Sequence, residues 1–252
     1  NAPEQARFCE GCHAPGDLLS GRTNRFASVP PQDALTEGIS CISCHTATHA
    51  GPIAGSGALT IDFDRAERER DGPQGAALLA DPRAHLAAFG APDTVALMKS
   101  ADLCGGCHTE IYDDSLTRAR GPPDVQSTYV DSRASWYGRN NVTCQDCHMA
   151  TDPAAQVMRL REGKVEKPDR YSHRFIGANS VMADTRLGDA LMVLRGGYLP
   201  GVGPQLNDTA LKEQFRQTEA FLRTAAGLEL RKAETDGAGL HLAIAVQNLG
   251  AG

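Results

Sequence analysis

The chain has 252 residues, a formal net charge of −6, and a composition that is 41% hydrophobic but only 5% aromatic. Its length allows one large domain or two small ones. Its acidity argues against a nucleic-acid partner, and it contains no apolar run long enough to cross a bilayer.

The eight cysteines all fall in one repeated pattern, Cys-x-x-Cys-His. The four copies are Cys9, Cys12 and His13; Cys41, Cys44 and His45; Cys104, Cys107 and His108; and Cys144, Cys147 and His148. The pattern fastens a c-type haem through its two sulfurs, with the histidine as the first axial ligand to iron. Cys-x-x-Cys knuckles can also pair into four-cysteine zinc sites or close small disulfide loops. Neither of those requires a histidine directly after every knuckle, so four covalently held haem c groups are expected. The first cysteines, at 9, 41, 104 and 144, are spaced by 32, 63 and 40 residues, which is no fixed period and therefore no solenoid. Four flat apolar macrocycles would fill the interior that so few aromatic side chains leave open. The expected fold is mostly α, with long loops wrapped around four haems and a small C-terminal β hairpin or partial β module. With every propionate ionised, the oxidised total would fall to roughly −10, which favours a small basic redox partner or a second copy of the chain.

In chain order, the opening at Asn1 has no basic and apolar leader and reads as a processed N-terminus. Together with haem attachment outside the cytoplasm, it places the protein in the periplasm or the extracellular space of a bacterium or archaeon. Four residues after His45 stands a further histidine, His49, in "CISCHTATHA". It lies on the same side of the second haem as His45, so as a ligand it serves a neighbouring haem; otherwise it is a solvated loop residue. The Gly-rich stretch Gly51–Gly57 and the charged "DFDRAERERDGP" read as surface loop. His85, in "DPRAHLAAFG", is another candidate ligand from a separate part of the chain. "APDTVALMKSADLCGGCH" reads as a short helix with Pro92 in its first turn, delivering the third motif. Met98 in it reads as helix packing. "DVQSTYVDSRASWYGRNNVTCQDCH" reads as a second helix broken at Gly138, and a polar loop follows from Met149 to about Arg170. Met149 is too close to its own haem's attachment point to reach the far face.

His173 then sits in the constrained-looking "YSHRFIGAN". From about Asp184 the character changes, dividing the chain into a tetrahaem domain over 1–183 and a helical segment with an incomplete β module over 184–252. "DTRLGDALMVLRGG" is a helix candidate, and "NDTALKEQFRQTEAFLRTAAG" a better one, capped by Asn207 or Asp208 with Leu211, Phe215, Leu222 and Ala225 on one stripe. Two alternating segments, "GLELRKAE" and "GLHLAIAVQNL", are joined through "TDGAG". Leu240, Leu242, Ile244 and Val246 point one way, and His241, Ala243, Ala245 and Gln247 the other. A lone two-stranded hairpin is marginal in water, so further strands are expected from chain beyond Gly252 or from another subunit.

The sixth position of each iron decides its work: a second strong ligand favours electron transfer, an open one binding or catalysis. Outside the motifs stand His49, His85, His173 and His241, as many as there are haems. Among them His241 could equally be an exposed strand residue. Methionine ligation, with Met182 and Met192 also available, would raise the potential. No motif replaces its histidine by lysine.

"VTCQDCHMA" followed by "SHRFIGAN" resembles the multihaem cytochromes of the tetrahaem c-554 and hydroxylamine-oxidoreductase-like class and related extracellular cytochromes, over about residues 7–180. The resemblance implies a mostly α-helical fold, closely packed haems alternately stacked and edge-on, and mainly bis-histidine ligation. It supports His173 as a distal ligand and His49 as a ligand to a neighbouring haem. In related sequences with a C-terminal β module, a segment like Asn248–Gly252 runs on into a histidine. If that histidine is the fourth distal ligand, His241 is not one, and one haem depends on chain beyond Gly252 or on a partner. Two functions follow: single-electron relay along a haem chain, as a carrier, a subunit or a filament protomer, or reduction of a small nitrogen or sulfur species at one open haem.

Overall fold

The computed structural model describes residues 8–13, 15, 39, 41–51, 57–62, 92–111, 124–168, 170–178, 180–184 and 208–250. His85, Met192, Asn207, the charged run after Asp62 and the helix expected after Asp184 lie outside these residues. The chain forms two compact units, Asn1–Ser135 and Trp136–Ala251. The fourth motif thus shares a unit with the C-terminal helix and hairpin, where the sequence reading joined it to the other three.

In the first unit, helix α1 (Phe8–His13) and helix α2 (Cys41–His45) carry the first two motifs. Strand β1 (Ala47–Ala50) follows α2 within two residues and pairs antiparallel with β2 (Leu59–Ile61). This small hairpin was not legible as strands, because each is too short to show alternation. Helix α3 (Pro92–Met98) begins at its proline, as expected, but ends before a turn at Lys99. A new helix, α4 (Ala101–Gly105), is capped by Ser100, whose hydroxyl accepts from Asp102 N–H at 3.1 Å. β1 packs on α3 and α4, and Ala47, Ile61, Leu97 and Ala101 are buried. Strands β3 (Glu110–Ile111) and β4 (Asp124–Gln126) form a second short pair, and α5 (Thr128–Ala134) closes the unit.

The second unit opens with α6 (Trp136–Arg139). The break expected at Gly138 falls instead at Ser135, whose backbone is extended and whose hydroxyl donates to Ser132 O at 2.7 Å. A serine satisfying the carbonyl three residues back competes with continued helix. Gly138 lies inside α6. Helix α7 (Cys144–His148) holds the fourth motif. The polar loop expected up to Arg170 contains α8 (Pro153–Arg161). The sequence signal was present: Asp152 accepts from Ala155 N–H at 3.0 Å, and Pro153 takes the first helical position. Pro153, Gln156, Val157 and Leu160 form its buried face. Helix α9 (Ser180–Ala183) and α8 both pack on α10 (Asp208–Leu222). Leu211 and Thr218 are the buried positions of α10, while Leu222 and Ala225 of the expected stripe are exposed.

Strands β5 (Ala226–Asp236) and β6 (Gly239–Asn248) form the expected antiparallel hairpin. A register shift between Leu230 and Lys232 inserts one residue into β5. Without it Ala233 would fall on the opposite face from Leu228 and Leu230; with it, Ala233 pairs with Leu242. The aliphatic face is therefore continuous, yet Leu228, Leu230, Leu240, Leu242, Ile244 and Val246 are between 52% and 76% exposed. The foot of the hairpin is held to its unit: Tyr137 Oη donates to Leu249 O at 3.3 Å, and Arg161 donates to the carbonyls of Thr224 and Leu249.

Candidate functional site

The first, second and fourth motifs each lie on a short helix that ends at the motif histidine, and the third begins on one. Residues three apart share one face of a helical turn, which in the fourth motif puts Cys144 and Cys147 side by side. In the third motif the helix stops at Gly105, but His108 N–H still reaches Cys104 O at 2.8 Å and keeps the turn closed. Cys12, Cys44, Cys104, Cys107, Cys144 and Cys147 are half-buried, and none is in a disulfide. Among the described residues no group of three or more His, Cys, Asp or Glu side chains is arranged to hold a metal.

The first three motifs converge on the β1–β2 hairpin. Gly57, at φ +67°, lies so close to Gly11 that a Cβ on it would stand 1.8 Å from Gly11 O. Only glycine fits that approach. Ala58 N–H donates to Gly106 O at 3.0 Å, which ties the hairpin to the third motif. Cys12 Sγ donates to Cys107 O at 3.8 Å. Burial first, then Cys12 and Cys44, push the Cys107 thiol up to about 12. The second cysteines of three motifs, separated by tens of residues in sequence, therefore share one neighbourhood. Against the first reading of Gly51–Gly57 as plain surface loop, its last glycine is a packing contact.

The fourth motif is built by its own unit. Buried Asp146, between the two cysteines, accepts from Thr143 N–H at 2.7 Å, Thr143 Oγ1 at 3.0 Å, Tyr171 Oη at 3.0 Å, and the Lys167 ammonium. Burial first, then Asp146, push the Cys147 thiol up to about 12. "YSHRFIGAN" turns back onto the motif. Tyr171 bridges Ala150, Ser172 N–H donates to Met149 O, and Ile176 N–H donates to His148 O at 3.0 Å. Phe175 adopts φ 48°, an uncommon conformation for an aromatic residue, at the bend. His148 Nδ1 then lies 2.6 Å from Ile176 O. A carbonyl can only accept, so Nδ1 carries a proton, and in the neutral ring the lone pair is then on Nε2. Gly177 lies beside the ring, where a Cβ would make an ordinary van der Waals contact with His148 Nδ1 at 3.7 Å. Phe221 from α10 meets it edge-on at 5.2 Å.

The remaining histidines are placed as follows. His108 Nδ1 is 3.0 Å from the Gln126 amide, whose oxygen and nitrogen are interchangeable at that position, so the amide can accept from Nδ1–H as Ile176 does for His148. His13 is exposed and His45 half-buried. His49 is exposed on β1, opposite Thr60, just past the register shift between Ala47 and His49. His173 is exposed, with its ring 6.1 Å from that of Phe175. His241 stands near the tip of the exposed hairpin, with Nε2 3.0 Å from Asp236 Oδ2. Sequence reasoning did not single out Asp146, Ile176, Gly177 or Gln126. Asp146 had a signal in the Thr-x-x-Asp capping pattern; the others had none.

Compared with family models, curated proteins and solved structures, the chain matches none. Among the described residues no helix is long and apolar enough to cross a membrane.

Proposed function

We propose that this chain is an exported tetrahaem c-type cytochrome that passes single electrons along a row of haems. The observation that carries the reading is the repeat of Cys-x-x-Cys-His four times with no cysteine left over, each copy beginning on a short helix. The bond from His148 Nδ1 to a backbone carbonyl fits an axial ligand, because it holds the ring still and leaves Nε2 for a metal. The buried side chains of the described core include no aromatic ring, in keeping with an interior completed by another flat apolar body. The hydroxyls of Ser43 and Thr109, each beside a motif residue, are buried with no hydrogen-bond partner among the described residues.

In this reading Cys9, Cys12, Cys41, Cys44, Cys104, Cys107, Cys144 and Cys147 hold the haems as thioethers. His13, His45, His108 and His148 supply the first axial nitrogen. His49, His85, His173 and His241 are the candidates for the second, and His241 must leave Asp236 to serve. The haem irons supply the one-electron chemistry; the chain fixes their spacing, excludes water and sets potentials through ligands and nearby charge. The periplasm or cell exterior is the compartment, since haem is attached there.

A filament or other self-assembly is the partner reading that a specific observation favours: a sheet face of aliphatic side chains lies open on the hairpin. Size-exclusion chromatography and electron microscopy at working concentration test it, and a persistent monomer excludes it. The haem reading is tested by the haemochrome spectrum of the purified, exported protein, with four covalently held haems per chain expected. Carbon monoxide binding to the reduced protein separates relay from reductase: four low-spin haems without a shift support relay, and a shifted spectrum supports an open, reactive iron.

A further inference from the structure

Of the four motifs, only the fourth carries an acid directly before its second cysteine; the others have Gly11, Ser43 and Gly106 there. Asp146 is 1% exposed, and both of its oxygens are engaged. Oδ2 accepts from the Thr143 backbone and hydroxyl and from Lys167, and Oδ1 accepts from Tyr171. A buried carboxylate is tolerated only when so satisfied. Two of its partners, Lys167 and Tyr171, belong not to α7 but to the segment that returns over it. Lys167 also donates to Asn141 O at 2.8 Å, which anchors the start of that segment to the turn before α7. Five residues past Tyr171 the same segment delivers the Ile176 carbonyl to His148 Nδ1.

Resting on the haem reading above, we propose that Asp146 is the positioning residue of the fourth haem site. Its carboxylate fastens the returning segment to α7, so that the Ile176 carbonyl fixes the tautomer and ring plane of His148. The hydrogen-bond partners of Asp146 are Thr143, Lys167 and Tyr171, so it acts on His148 through the backbone it holds. None of the other three motifs has an acid at this position, so the effect is expected at one haem. Replacing the carboxylate by an amide removes a negative charge near that haem and leaves the Lys167 ammonium without its counter-charge, which raises the potential.

The test compares the full-length loaded protein with its Asp146→Asn and Tyr171→Phe variants by haem count, spectroelectrochemistry and low-spin electron-paramagnetic-resonance signals. A three-haem reference, with Cys144 and Cys147 both replaced by alanine, identifies the fourth haem as the one missing. Asp146→Asn is expected to raise the potential and shift the signal of that haem alone, with the other three unchanged. Tyr171→Phe, which keeps the carboxylate and removes one donor, is expected to shift the same haem by less; it serves also if Asp146→Asn does not fold. Four haems with four unaltered potentials and signals in both variants overturn the proposal. A shift spread over all four does so too, since it marks general loosening. The haem count of the unaltered protein separately decides the haem reading. Should that count be zero, the ¹⁵N shifts of His148 still decide the role of Asp146: loss of the Nδ1–H form in either variant upholds it, and retention in both overturns it.

Discussion

At the scale of single residues, His49 is the side chain whose role is most sharply testable. It lies four residues past His45, but a buried Thr46 and a register shift in β1 separate the two, so the chain has already left the helix that carries the motif. If His49 ligates a neighbouring haem as proposed, His49→Ala is expected to cost one haem its low-spin signal while all four haems remain attached. Four unchanged signals would make it a surface residue. Tyr171 gives a pH prediction. Burial first, then the charge of Asp146 and the hydrogen bond to it, raise the phenol to about 12. A group whose folded pKa is raised contributes stability that is complete below its unfolded value of about 10 and is lost as pH climbs through the folded one. Stability is therefore expected to fall between about pH 10 and 12, read by chemical unfolding, and Tyr171→Phe to show a shallower fall over that window. Equal slopes in the two proteins would remove Tyr171 from the balance.

At the scale of elements, α8 and the C-terminal hairpin behave oppositely. α8 is a short helix with a well-made start and a fully inward face. Asp152→Ala is expected to cost about 1 kcal/mol, and Leu160→Ala, at a 1% exposed position, about 2–5 kcal/mol. Urea unfolding monitored by circular dichroism measures both, and a Leu160→Ala loss no larger than the Asp152→Ala loss would place Leu160 outside the core. The hairpin has its register, bulge and turn in order, and Asp236 Oδ1 accepts from Ala238 N–H at 2.7 Å at the tip. Its aliphatic face nevertheless has no cover among the described residues. If that face mediates self-association, Leu242→Lys with Ile244→Lys is expected to reduce the assembly to monomers, as read by sedimentation. An unchanged sedimentation coefficient would assign the assembly to another surface.

At the scale of the whole molecule, the four motifs divide between two compact units, three in the first and one in the second. If the chain carries the four proposed haems, its charge of −6 grows more negative on loading and its thiols become thioethers. The purified protein, fully denatured, is then expected to show no thiol reactive toward a chromogenic disulfide reagent. Eight reactive thiols released on denaturation in a chelator would instead favour zinc knuckles, and eight appearing only after reduction would favour disulfides.

The sequence alone carried the four motifs, the C-terminal helix and the hairpin. Each is a local pattern: a spacing of three in one turn, an apolar stripe, or an alternation over ten residues. It misplaced the break at Ser135 and passed over α8, because a serine's hydrogen bond to its own turn and a cap before a short polar helix are weak against a search for apolar periodicity. Strands as short as β1 and β2 leave no period to read. What only the tertiary structure decided was which distant side chains meet: Gly57 against Gly11, Cys12 beside Cys107, and Ile176 against His148. Such contacts depend on loop closure and on the burial of specific polar groups, and no local spacing encodes them.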